Sequence, residues 1–212
     1  CVRGGQRLAA ADIAVPADIS SAAFFIIGAA IGESSALRLP AVGVNPTRTG
    51  IIDIMRAMHA DITVSNLRNC GSEPVADLFI ASSSLRGIEI PAHLVPLAID
   101  EFPAIFVAAA CASGTTVVHG AAELRHKESD RIAVMAEGLT RLGVACEVFE
   151  DGIAIEGGPI HGGRVDAHGD HRIAMAFAML ALRAQGTVYI DNAAAIATSF
   201  PDFVAQARAA GL

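Results

Sequence analysis

The sequence predicts an α/β fold built from three related β-α-β-α-β-β units. The first observation behind this prediction is a recurring helix start, in which an Asp is followed four residues later by an Ala and an apolar, Ala-rich stretch that ends at a Gly. The three helix starts are Asp18, Asp100 and Asp170, and the glycines are Gly32, Gly114 and Gly186. Self-similarity of this kind indicates repeated supersecondary units.

A second helix follows each of these starts at a nearly constant distance. Arg48 and Asp130 lie thirty residues after Asp18 and Asp100, and Ser199 lies twenty-nine residues after Asp170. Each precedes a stretch with helical periodicity, which predicts helices over 49–60, 131–142 and 200–210. The chain therefore repeats pairs of helices in register.

Short strand-like runs complete the units. Runs rich in β-branched residues follow the first helices at 115–118 and 187–190, and pairs of strands are predicted at 61–65 with 76–82 and at 145–149 with 152–155. We place the units at about 14–92, 93–160 and 161–212.

The third unit reaches Leu212 without a closing pair of strands, and the chain starts at Cys1 and not at Met. An unpaired strand edge invites association. We therefore expect a fragment of a longer protein, with residues 1–13 as the tail of a preceding domain and 14–212 as one domain of the three units, the last incomplete.

Composition narrows the classes of function. Of the 212 residues, 53% are hydrophobic and 5% aromatic, and the net charge of −7 argues against a nucleic-acid partner. The longest apolar stretches, near 22–31 and 104–112, are far shorter than the ~20 residues that span a bilayer. No signal peptide is evident. We expect a cytoplasmic protein with no membrane or nucleic-acid partner.

Neither a metal nor a cofactor is expected. The four cysteines show no metal-ligand spacing, and Cys111 and Cys146 lie in apolar segments, as reduced core residues do. The paired glycines at 157–158 and 162–163 lie outside a strand–GxGxxG–helix context and indicate turns.

A charge-rich run from Glu123 to Arg131 precedes the second helix of the middle unit. If Ser129 or the residues just before it cap that helix, then Lys127 and Arg131 lie near its start, where the helix dipole favours anions by roughly 0.3–1 kcal/mol. Like charges four residues apart also repel by about 0.2–0.5 kcal/mol in a helix. Arg172 repeats this placement after Asp170. Either a bound phosphate or carboxylate offsets these costs, or the run is solvated and pairs with itself.

Two adjacent carboxylates, Asp100 and Glu101, precede an apolar helix that would partly bury them. Half-buried neighbouring carboxylates tend to have perturbed pKa values, as an acid–base role requires. Asp18 is more simply explained as a helix cap.

These motifs resemble the EPSP synthase family, the 3-phosphoshikimate 1-carboxyvinyltransferases. The matching segments include the charge run, the Asp100 segment and two later motifs, namely Arg125, Lys127–Arg131, 99–103, 170–175 and 197–201. Glu123 and Thr198 resemble the bacterial class that includes glyphosate-tolerant members. The resemblance covers the chain from Pro16 onwards.

The resemblance implies a fold and a partner. Members of the family have two domains, each of three βαβαββ units with pseudo-threefold symmetry, in an inside-out α/β barrel. This chain is similar to the C-terminal domain, which the beginning of the whole chain completes in the family. The N-terminal half, which helps to hold both substrates, has no counterpart here.

The resemblance also implies a reaction and its residues. The enolpyruvyl group of phosphoenolpyruvate is transferred to the 5-hydroxyl of shikimate 3-phosphate, and phosphate is released. Asp100 corresponds to the proton acceptor for that hydroxyl, Lys127 to the lysine that contacts both substrates, and Glu128 to a residue that protonates and deprotonates the methylene. Arg131 and Arg172 correspond to arginines that bind phosphoenolpyruvate.

Alternatives remain open at this point. A UDP-N-acetylglucosamine enolpyruvyl transferase shares the fold and the donor, although the Lys-Glu-Ser-Asp-Arg run at 127–131 disfavours it. The chain as it stands could also be a non-catalytic, anion-binding fragment. We expect that it is inactive alone and that the intact enzyme is a monomer.

Overall fold

The computed structural model describes the whole chain except residues 2, 8 and 11, so the predicted tail at 1–13 lies partly outside the described residues. The first group of elements is α1 (Ile19–Ile31), β1 (Ala36–Gly43), α2 (Gly50–Ala57), β2 (Asp61–Cys70) and β3 (Glu73–Ala81). The second is α3 (Phe102–Ala110), β4 (Thr115–Val118), α4 (Arg131–Arg141), β5 (Ala145–Val148) and β6 (Ile153–Glu156). The third is β7 (Ile160–Asp166), α5 (His171–Leu180), β8 (Ala184–Asp191), α6 (Ile196–Ser199) and α7 (Phe203–Ala209).

The strand pairing repeats from one group to the next. The first two groups form antiparallel sheets of order β1-β3-β2 and β4-β6-β5. An isolated parallel bridge joins Ala17 to β1, and two more join Arg86 and Glu89 to the segment that contains β4. In the third group, β7 pairs with β8 in parallel. The bridges at Arg86 and Glu89 connect residues that precede the predicted boundary at 92/93 with the segment that contains β4.

Three helices form the centre of the fold. Nearly all residues of α1 and every residue of α3 are buried, and α1, α3 and α5 pack against one another in pairs. The C-terminal ends of α1 and α3 line one cavity together with Arg183, which follows α5. The N-terminal ends of the three helices meet at the opposite end through the contacts described below. The central helices therefore run in the same direction.

The predicted positions of the three repeated aspartates agree with the structure. Asp18 and Asp170 are the N-caps of α1 and α5, and each accepts a backbone N–H two or three residues on. Asp100 lies in a 3-10 turn (Ile99–Glu101) that leads directly into α3. The mixed α/β class is confirmed.

Two predicted elements were wrong in detail. The expected helix over 200–210 begins only at Phe203, as α7, and a separate short helix, α6, ends at Ser199 before Pro201, whose ring disfavours a helical conformation at the residue before it. The strand expected at 187–190 begins earlier, at Ala184, so Gly186 lies inside β8 and does not end α5. Its φ of +114° is one that glycine adopts readily.

The sequence predicted no membrane span, no metal site and reduced cysteines. Within the part of the chain that the structure describes, no helix is both long and apolar enough to cross a bilayer, and no cluster of His, Cys, Asp and Glu could hold a metal ion. Burial raises the pKa of the Cys111 thiol to about 12 and that of Cys146 to about 11. Both thiols are free.

Candidate functional site

Asp100 lies at the centre of the candidate site. Its carboxylate is 37% exposed and lies 3.3 Å from Lys127 Nζ and 3.5 Å from Arg131 Nη1. Its backbone carbonyl accepts a hydrogen bond of 3.0 Å from Arg172 Nη1. Partial burial raises the pKa of this carboxyl, but the charges of Arg172, Lys127 and Arg131 outweigh it, and the pKa is lowered overall. Asp100 is therefore held as a carboxylate among three cations.

Lys127 is positioned by the segment before α4. The helix start that the repeat placed after Asp130 agrees with the structure, in which Asp130 and not Ser129 caps α4 and accepts the backbone N–H of Ala133 at 3.0 Å. Lys127 therefore precedes the helix in extended conformation, between α4 and the 3-10 turn Ala122–His126. Its Nζ donates to Glu123 Oε1 at 2.6 Å, which raises the pKa of the ammonium. The ammonium is shared between Glu123 and Asp100.

Arg131 is the first residue of α4 and is almost fully buried. Its Nε lies 2.9 Å from Asp170 Oδ2, and its Nη2 lies 2.5 Å from Glu128 Oε2. The side chains of Arg131 and Asp170 are 1% and 0% exposed. Asp170 also accepts from the Ser129 hydroxyl at 3.1 Å. These donors lower its pKa, although burial alone would raise it.

These pairings correct the electrostatic argument made from the sequence. A bound anion was one of two ways to offset cations at the start of α4, but Glu123, Asp100, Glu128 and Asp170 already do so within the chain. The repulsion expected between Lys127 and Arg131 at helical spacing does not arise, because Lys127 lies outside the helix. The charge run therefore does not require an anion, although Arg172 remains accessible to one.

Arg172 lies in the first turn of α5, beside the start of α1. A cleft of about 200 Å³ opens there. Its polar lining is formed by Asp18, Ser20, Ser21, His171, Arg172 and Ser199. Asp18 and Asp170 cap the two helices and accept backbone N–H groups there, so the guanidinium of Arg172 is the group that favours an anion in the cleft.

Glu101, the neighbour of Asp100, is buried and does not line this cleft. It is 3% exposed, and its Oε1 accepts a hydrogen bond from the Ser20 hydroxyl. Ser20 in turn accepts from Arg48 Nη2 at 2.7 Å. Desolvation by burial raises the pKa of the Glu101 carboxyl despite the Ser20 hydrogen bond.

The structure brings all five of the predicted site residues together, namely Asp100, Lys127, Glu128, Arg131 and Arg172. Sequence reasoning did not name the individual partners that hold them. Pairing within the charge run, one of the two open interpretations, covers Glu123 and Glu128, whereas Asp170 was treated as a helix start and part of a family motif. For Glu123 the four-residue spacing to Lys127 was a usable signal, whereas nothing local indicated that Asp170 meets Arg131.

A search against family models matches residues 1–206 to "EPSP synthase (3-phosphoshikimate 1-carboxyvinyltransferase)". The chain is 61% identical over 213 residues to the 3-phosphoshikimate 1-carboxyvinyltransferase of Alkalilimnicola ehrlichii, and 60% identical over 212 residues to that of Acidithiobacillus ferrooxidans. Both matches cover the whole chain but 48% and 49% of the relatives. The chain thus spans about half the length of the curated relatives it matches.

Two solved structures also resemble this chain over most of its length. The EPSP synthase of Acinetobacter baumannii superposes with a TM-score of 0.94 at 54% identity, over 97% of this chain and 48% of that one. The enolpyruvyl transferase NikO of Streptomyces tendae superposes with a TM-score of 0.70 at 20% identity. The second likeness supports the fold alone.

Proposed function

We propose that this chain, which belongs to the EPSP synthase family, supplies half of the active site of a 3-phosphoshikimate 1-carboxyvinyltransferase. The reaction joins the 5-hydroxyl oxygen of shikimate 3-phosphate to the enol carbon of phosphoenolpyruvate and releases inorganic phosphate. The observation that carries the proposal is the convergence of Asp100, Lys127 and Arg172, from separate elements of the chain, on one accessible point.

Asp100 is the proposed general base. Its lowered pKa keeps it ionised at neutral pH, so it can accept the proton of the 5-hydroxyl as the C–O bond forms. Lys127 lies 3.3 Å from the Asp100 carboxylate and can contact a substrate phosphate beside it. The raised pKa of Lys127 keeps it cationic through the reaction.

Glu128 and the arginines have complementary proposed roles. Glu128, whose side chain is half exposed, gives a proton to the methylene carbon of phosphoenolpyruvate during addition and removes one during elimination. The C–O bond to phosphate then breaks, and the proton taken from the hydroxyl leaves with the phosphate. Arg172 binds the carboxylate or phosphate of phosphoenolpyruvate in the cleft beside α1.

Arg131 acts differently in this proposal from Arg172. Because Nε and Nη2 pair with Asp170 and Glu128, Nη1 is the group best placed to reach a substrate, and it lies 3.5 Å from Asp100. A substrate anion can compete with Asp100 for that group. We therefore assign Arg131 a smaller contribution to phosphoenolpyruvate binding than Arg172.

The proposed partner is the remaining part of the longer protein. It would form the second wall of the site and supply strands that extend the β7–β8 pair. Closure of the site excludes water and strengthens the charge interactions. We further propose that the completed protein is a cytoplasmic monomer and that the chain does not turn over substrate alone.

The test is complementation. The chain is mixed with the separately expressed N-terminal half of the Alkalilimnicola ehrlichii relative, or fused to it, and phosphate release is measured with both substrates. We expect turnover from the combination and from neither half. Release by the 212 residues alone contradicts the requirement for a partner. A fused protein that is folded but inactive, or that prefers UDP-N-acetylglucosamine as the acceptor, contradicts the proposed reaction.

A further inference from the structure

We propose that Glu101 is a positioning residue, which through Ser20 and Arg48 holds the turn that carries Asp100. The inference rests on the proposed function of Asp100 as the base. Glu101 itself is buried, so it is not proposed to touch the substrate.

A hydrogen-bond chain from Arg48 through Ser20 to Glu101 joins three separate elements. Arg48 precedes α2, Ser20 lies in the first turn of α1, and Glu101 ends the 3-10 turn that leads into α3. Arg48 donates to Ser20 at 2.7 Å, and Ser20 donates to Glu101, 81 residues away in the sequence. The start of α3 is thereby tied to the start of α1.

The same 3-10 turn is also held from its other side, by Arg172. Arg172, in the first turn of α5, donates to the backbone carbonyl of Asp100 at 3.0 Å. The 3-10 turn is thus fastened to α1 by Glu101 and to α5 by Asp100, and the Asp100 side chain extends from between these two anchors. Movement of the turn would change the distances from Asp100 to both Arg172 and Lys127.

Burial of the Glu101 carboxylate has a cost in free energy. A carboxylate that is 3% exposed loses most of its hydration, and this desolvation costs free energy that its hydrogen bonds must offset. Stability alone is therefore a weak reason for Glu101 to be here. A geometric reason remains, because a displacement of about 1 Å at a reacting group can cost about 10²-fold in rate.

Three substitutions in the fused, active protein separate these roles. Glu101→Gln keeps an acceptor for Ser20, Glu101→Leu fills the space without one, and Ser20→Ala removes the donor. We expect kcat to remain within about threefold for Gln and to fall at least about tenfold for Leu and for Ser20→Ala, with folding retained. The double variant Ser20→Ala/Glu101→Leu should lose no more kcat than either single variant, since both substitutions break the same hydrogen-bond chain.

The matched control is Asp77, another buried carboxylate, whose hydrogen bonds go to β1 and β2. Asp77→Asn should lower the melting temperature without changing kcat. If Glu101→Leu has normal kcat, or if its loss of activity is matched by any variant of equal melting temperature, the positioning role is wrong.

A second readout does not depend on turnover. The pKa of the Asp100 carboxyl is measured by carbon-13 NMR in the Gln and Leu variants, both of which lack the charge at 101. Because the Leu variant also loses the anchor, the cations should hold Asp100 less closely, and its pKa should be higher than in the Gln variant. Equal values in folded variants would overturn the inference, whether or not the proposed reaction is correct.

Discussion

Arg131 and Asp170 form a buried ion pair between the starts of α4 and α5, with Nε 2.9 Å from Oδ2 and both side chains almost wholly excluded from solvent. The two residues are 39 positions apart in the sequence. Asp170 also caps α5 by accepting the backbone N–H of Arg172 at 2.9 Å. One carboxylate therefore fixes both the buried arginine and the helix that carries the accessible one.

Removal of this carboxylate should be costly. In Asp170→Ala the buried Arg131 loses its main counter-ion and α5 loses its cap, so we expect a loss of about 3–5 kcal/mol in the free energy of unfolding, measured by urea denaturation. The exposed pair Arg141–Glu137, at 2.6 Å, is the control, and Glu137→Gln should cost less than about 1 kcal/mol. Similar losses in the two variants would contradict this account.

Replacement of the proposed base should affect catalysis and not folding. Asp100→Asn in the fused protein should lower kcat by about 10²–10⁴-fold, because the amide cannot accept the proton of the hydroxyl. Phosphate release measures the effect. Asp53→Asn, an exposed position on α2, should leave kcat unchanged. A fall of less than about tenfold for Asp100→Asn would exclude it as the general base.

Arg172 and Arg131 should differ in their effects on substrate binding. Since Arg172 lines the open cleft and Arg131 is held by two carboxylates, Arg172→Met should raise the KM for phosphoenolpyruvate more than Arg131→Met. Loss of the charged hydrogen bond from Arg172 to phosphoenolpyruvate should weaken its binding by about 1.5–3 kcal/mol. Arg131→Met should instead lower stability more, because the buried Asp170 loses its counter-ion. The reverse order of the KM values would contradict the proposed roles.

The two buried carboxylates should give stability opposite dependences on pH. The pKa of Asp170 is lowered in the folded chain, so its contribution is present above the unfolded value near 3.9 and is lost as the pH falls through the folded value. The pKa of Glu101 is raised, so stability is lost as the pH rises from about 4.5 through the folded value. Glu101→Gln should therefore gain stability relative to the parent as the pH rises above about 4.5, measured by denaturation at several pH values. A difference that does not change with pH would show that Glu101 is not buried in this way.

A packing contact outside the site gives a test of the fold. A Cβ added at Gly138 in α4 would lie 2.2 Å from Phe177 Cζ in α5, so Gly138→Ala should destabilise by about 1–3 kcal/mol although Ala favours helices. At Gly158 an added Cβ meets nothing within 4 Å, and Gly158→Ala should change stability by less than about 0.5 kcal/mol. Thermal or urea unfolding measures both.

The sequence by itself determined the repeat, the class of fold and the starts of the central helices. These features depend on interactions between residues close in the chain. The caps Asp18 and Asp170 accept N–H groups only two or three residues on, and the apolar stretches after them have helical length. The break at Pro201 was local too and could have been predicted from the restriction that proline places on its neighbour.

Only the tertiary structure decided which charges meet. Asp170 neutralises Arg131 across 39 residues, and Glu101 reaches Ser20 across 81, and no spacing rule connects such positions. The sequence showed cations near helix starts, but whether carboxylates or a bound anion compensate them depends on how the helices pack. The family resemblance supplied candidate residues, whereas their burial and partners, which separate Arg172 from Arg131, followed from the fold because solvent exposure is a property of packing.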